Sequence, residues 1–99
     1  MTRIKNLVEH IKSELDDARE YAEDYLTCKA KGDTEMSARY KEMSTDELKH
    51  ALYLHDRAVE EIEELRKVMT PPEEMLQKWE SAHREYIEKA AWVKQMLAM

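Results

Sequence analysis

The chain has one glycine, Gly32, and two prolines, adjacent at Pro71 and Pro72, in 99 residues. Glycine and proline interrupt helices most strongly, glycine by its backbone freedom and proline by its missing N–H and ring clash. Two interruptions leave three long stretches in which nothing local opposes a helix. In the first, apolar residues recur at Leu7, Ile11, Ala18, Tyr21 and Tyr25. The second carries Met36, Tyr40, Met43, Leu48, Leu52, Leu54, Val59, Ile62 and Leu65, and the third Leu76, Trp79, Ala90 and Val93. Steps of three and four place such residues on one side of a helix. The punctuation predicts helices over about 3–30, 34–69 and 72–97 in a single domain, 1–99. Gly32 suits a left-handed C-terminal position, and Asp33 or Thr34 can cap the second helix. Thr70-Pro71-Pro72-Glu73 predicts a start with Thr70 as cap, Pro71 at the first helical position and Glu73 completing a capping box.

The fold class expected is all-α, three antiparallel helices running up-down-up. With 38% charged residues and no Phe, the composition suits long amphipathic helices rather than sheets. A formal net charge of −6 opposes binding to phosphate backbones, so no nucleic-acid partner is expected. The first apolar residues are broken by Lys5, Asn6, Glu9 and His10, which gives neither a signal-peptide core nor a membrane span. Cys28 is the sole cysteine, so an intrachain disulfide is excluded, and a cytoplasmic location is the expectation.

The apolar stripes are wider than a three-helix core can cover. Helix 1 has one stripe through Ile4, Val8, Ile11, Leu15, Ala18 and Ala22, and a rotated one through Leu7, Ile11, Ala18, Tyr21 and Tyr25. Helix 2 also has two. Self-association is therefore expected, two copies pairing their first two helices into a four-helix bundle with the third helix outside.

Polar residues interrupt these stripes at one level. Glu14 falls on the helix 1 series Leu7, Ile11, Glu14, Ala18, Tyr21, Tyr25, Cys28, and Glu47 and His50 fall on the helix 2 series Met36, Tyr40, Met43, Glu47, His50, Leu54. Side chains at i and i+3 leave one face together, so a metal ion can take both Glu47 and His50. His50 and Glu14 lie 18 residues on either side of Gly32, which makes them level in an antiparallel pair. Two readings compete with metal binding. The three side chains can form a hydrogen-bonded polar network, or Ser44-x-x-Glu47 can be a capping box restarting a broken helix 2. Chance alone supplies roughly 0.6 Glu-x-x-His matches in a chain this rich in glutamate. Two occur, the second at Glu80 and His83. Reflection about the proline turn sets His83 near His55, and reflection about Gly32 sets His55 near His10. Three histidines can hold zinc, whereas a histidine between Trp79 and Tyr86 is more simply a hydrogen-bonded core residue.

Glu14 followed by Glu47-Leu-Lys-His50 on consecutive antiparallel helices resembles the half-site of the ferritin-like superfamily, which includes bacterioferritins, rubrerythrins and encapsulated ferritins. The last of these build a di-iron site from two copies of a two-helix chain. The resemblance covers helices 1 and 2, and helix 3 with its Thr70-Pro71-Pro72 entry departs from it. Tyr53-Leu54-His55-Asp56 and Trp79-Glu80-Ser81-Ala82-His83 also look like small ferritin-like proteins of bacteria and prophages. What the resemblance implies is a homodimer binding two irons through Glu14, Glu47 and His50 of each copy, with oxidation of Fe(II) by O2 or peroxide for storage or detoxification. The alternative class is a structural or adaptor bundle, phage-derived in origin, whose inward polar residues set register and hold no metal.

Overall fold

A computed structural model describes residues 2–99. Those residues form three helices and no strand: α1 (Thr2–Ala30), α2 (Thr34–Val68) and α3 (Glu73–Leu97). They assemble into a rod of 55 × 17 × 16 Å, its length set by α2, whose 35 residues rise about 1.5 Å each.

Gly32 ends α1 as its type predicts. Its φ is +78°, and the Asp33 N–H reaches the Cys28 carbonyl at 2.9 Å while the Gly32 N–H reaches that of Lys29 at 3.1 Å. Two of the last unpaired carbonyls of α1 are thereby satisfied within one turn. Asp33 then caps α2, its Oδ1 accepting from the Met36 N–H at 3.1 Å.

The entry to α3 differs from the expected capping box. Pro72 is the N-cap, without any side-chain cap, and Glu73 is the first helical residue. The reason lies in the second proline: a residue before proline is pushed out of the α region, so Pro71 cannot occupy the first helical position. Thr70 is left too far upstream to cap.

The α1–α2 register pivots on Gly32. Arg3 pairs with Glu61 at 3.1 Å and Glu14 lies beside His50, both pairs equidistant from the glycine. Closer to the turn than either pair, the Ser44 hydroxyl donates to the Ala18 carbonyl at 2.7 Å in a buried position. Helix α2 runs unbroken through this point, so Ser44 does not restart it. Ala18, Ala22, Ala51 and Ala58 are fully buried, and side chains this small let the two backbones approach closely enough for that bond.

Helix α3 runs parallel to α1, with Lys89 against Asp16 at 3.3 Å and the Met99 carbonyl accepting from Lys29 Nζ at 2.6 Å. It packs mainly on α1 and only slightly on α2. Val93, Met96 and Leu97 lie on Ala18, Ala22 and Tyr25. A second cluster gathers Ile11, Leu15, Ala51, Ala58 and Ala90 with Trp79 and Tyr86 against it.

Two ionisable groups tie α3 to pH. Burial, and then the charge of Asp56, hold the Tyr86 phenol above its ordinary value of 10.0. Lys89 is held above 10.5 first by its bond to Glu85 and then by Asp16, with partial burial opposing. Both folded values exceed the unfolded ones, so the stabilisation is complete below about pH 10 and is lost as pH rises through the folded values. Absorbance titration of tyrosinate alongside helicity should show α3 loosening above pH 10, with the latest phenol step missing in Tyr86→Phe. A Tyr86→Phe chain that lacks an early phenol step and keeps the latest one, with α3 loosening at the native pH, would refute this.

Candidate metal centre

Glu14 projects from the middle of α1 toward the middle of α2, where Glu47 and His50 leave the same face one turn apart. His50 Nδ1 lies 3.7 Å from Glu14 Oε2 and 3.8 Å from Glu47 Oε1. One ligand atom from each of the three residues falls within 4.8 Å of the others. These distances exceed hydrogen-bond length. The side chains converge without being bonded to one another, so neither the capping box nor a closed hydrogen-bonded network describes them.

The two carboxylates are partly withdrawn from water, with 27% and 21% of their side chains exposed, whereas the imidazole is 60% exposed. Among the described residues the ion-pair partner of each is His50 alone, with no lysine or arginine. Two acids and one imidazole carry more negative charge than they neutralise, and partial burial increases the cost of leaving it so. Two carboxylates with one imidazole are also a donor set suited to first-row divalent metals. The chemistry of the site therefore fits a cation entering from the exposed side of His50.

The cluster lies on the edge of the α1–α2 pair turned away from α3. Leu7, Tyr21 and Cys28 continue it along α1, each half-buried. Met36, Met43 and Leu54 continue it along α2, with Met36 37% and Met43 40% exposed. The Tyr21 and Tyr40 rings stack at 6.2 Å on the same edge. Leu7 and Tyr21 belong to the rotated stripe of the sequence, whose Ile11, Ala18 and Tyr25 are instead buried in the core.

His55 and His83 meet as the reflection about the proline turn predicts, His55 Nε2 lying 2.7 Å from His83 Nδ1. His55 Nδ1 is 3.1 Å from Asp56 Oδ1. Both bonds form at once if His55 donates to the carboxylate and accepts from His83. Trp79 and Tyr86 enclose the pair, the Tyr86 ring 4.5 Å and the Trp79 ring 5.4 Å from that of His55. The nitrogens facing each other are occupied by their mutual bond, and this is the core-histidine reading. His10 is exposed on α1, and Glu80 points to solvent, 4.0 Å from Arg84. Among the described residues no group of three metal-binding side chains contains His10, His55, Glu80 or His83. The Asp56 contact gave no periodic signal, because Asp56 bonds its immediate neighbour rather than a residue one turn away.

No helix among the described residues is long and apolar enough to cross a membrane. No protein-family model, curated protein or solved structure matches this chain.

Proposed function

We propose that the protein is a metal-binding, ferritin-like helical protein whose Glu14, Glu47 and His50 hold iron, with two copies pairing through the uncovered edge of α1 and α2. The observation that carries this reading is the convergence of three ligand atoms within 4.8 Å from two helices, with no lysine or arginine among the described residues paired to the carboxylates. Pairing two such edges about a two-fold axis would bring together four carboxylates and two imidazoles, the ligand count of di-iron bundles. It would also cover Met36 and Met43, which are otherwise exposed. A bound iron pair would supply electron transfer to O2 or peroxide. The protein's own residues would hold the ions, and the half-buried Leu7, Tyr21 and Leu54 would limit water at the site.

The exposed apolar edge equally favours a second reading, a homodimeric assembly or adaptor module that holds no metal. Metal content and aerobic Fe(II) oxidation decide between them, measured on protein of known oligomeric state. About one iron per chain is expected for the native chain. Glu47→Ala with His50→Ala should lose both the iron and the oxidation while remaining helical. A native chain that retains no metal after anaerobic Fe(II) loading would leave the assembly reading in its place.

A further inference from the structure

A groove of about 500 Å³ separates α2 from the C-terminal half of α3. It exists because α3 crosses obliquely, touching α2 near His55 and His83 and moving onto α1 by Val93. Its floor is apolar, made by Leu48, Leu52, Tyr86, Ala90 and Leu97. Among the described residues, the charged ones lining it are Lys41, Lys49 and Lys94.

That one-sided charge is unusual on a chain with a net charge of −6. Among the described residues, lysine ion pairs occur elsewhere, at Lys67, Lys78 and Lys89. Lys41 lies over the Tyr25 ring at 5.7 Å from its centre, a contact that leaves its charge uncancelled. Lys41 marks one end of the groove, and Lys49 and Lys94 its middle. In antiparallel helices Lys41 is level with the last turn of α3 and Lys94 is about two turns further along α2. The opposite end of the groove, at Tyr86, has no lining cation, and the charge that acts there is the Asp56 carboxylate. From Lys41 to Leu52 the groove is about 16 Å long. Its volume lies within the range of small-molecule sites.

A second groove, between α1 and the N-terminal half of α3, is larger, but its rim alternates Lys5, Lys12 and Lys78 with Glu9, Glu74 and Glu85. It therefore selects no charge on its occupant.

We propose that the α2–α3 groove binds a free single-chain carboxylate amphiphile, with the carboxylate among Lys41, Lys49 and Lys94 and the chain lying on Leu48, Leu52 and Tyr86. The ammonium groups attract and orient the anion, and the apolar floor provides most of the affinity. This assignment stands independently of metal binding, because the groove and the Glu14 cluster lie on different faces.

Laurate, below its micelle concentration, is the probe, titrated into the native chain by calorimetry and by NMR shifts of the leucine methyls. Saturable binding of one laurate per chain is expected, with perturbations at Leu48, Leu52 and Leu97. The triple change Lys41→Gln, Lys49→Gln, Lys94→Gln should weaken it at least tenfold, whereas Lys5→Gln with Lys12→Gln should leave it unchanged. Dodecanol should bind the native and triple-substituted chains alike. Absence of saturable laurate binding, equal laurate affinity in the triple variant, or loss only in the Lys5 and Lys12 variant would each overturn the proposal. So would saturation of the same residues by an acidic amphipathic peptide when laurate has no effect.

Discussion

Val93→Asp should destabilise the fold by about 4 kcal/mol at neutral pH, enough to separate α3 from the other two helices. Val93 is 0% exposed, packed with Ala18, Ala22 and Tyr25 of α1 and Met96 and Leu97 of α3. The change loses the transfer energy of a buried valine, about 1.5–3 kcal/mol. It also places a carboxylate where the surrounding side chains offer no cation, at a cost of several kcal/mol unless it takes up a proton. Burial raises the folded-state pKa of the new carboxyl above its unfolded value. The damage is therefore greatest at neutral pH and is partly relieved as pH falls through that raised value. Because α3 touches α2 so little, it has few other contacts to hold it once its seat on α1 is lost. Thermal unfolding by circular dichroism and trypsin cleavage at Lys78 and Arg84 measure the two effects. A melting temperature within a few degrees of native, with both sites still protected, would show that Val93 does not anchor α3.

Leu15→Ala should cost about 3 kcal/mol and lower the melting temperature by about 12–24 °C. Leu15 is 2% exposed and contributes to the cluster of Ile11, Ala51, Ala58 and Ala90, where three of its neighbours are alanines too short to fill the space left behind. The residue beside it behaves oppositely. Glu14 sits on the half-exposed edge with a carboxylate that no lysine or arginine neutralises, so Glu14→Leu should leave the metal-free protein as stable as native or more so. The same change should abolish iron uptake if Glu14 is a ligand. A Leu15→Ala melting temperature indistinguishable from native would mean that the second cluster does not bear on global stability. A metal-free Glu14→Leu chain markedly less stable than native would mean that Glu14 serves the fold rather than a ligand.

Much of this arrangement was legible in the residues, and the parts that were not share a cause. Gly32 could be read because only a residue without Cβ adopts its positive φ cheaply, and once it fixed the turn, counting outward placed Glu14 level with His50. His55 and His83 followed in the same way from the proline turn. The α3 cap was misread by two residues because Pro71 precedes another proline, a restriction that overrides its preference for the first helical position. Ser44 resembled a cap from its spacing to Glu47, yet its partner is the Ala18 carbonyl on another helix. No pattern within α2 can encode that bond. His10 has the right distance from Gly32 to approach His55 but points outward, because height along a helix and direction around it are separate quantities.

The three helices, their ends to within a residue or two, and the vertical register of α1 against α2 were all readable in the residues, because each follows from local backbone preferences and the fixed rise of a helix. Which side of the broad apolar face of α1 receives α3 is settled by packing. Either side could bury a helix, and the choice depends on the fit of Val93, Met96 and Leu97 against Ala18, Ala22 and Tyr25 of α1, a property of surfaces distant in the chain. That choice leaves Glu14, Glu47 and His50 on the open edge, where a cation can reach them.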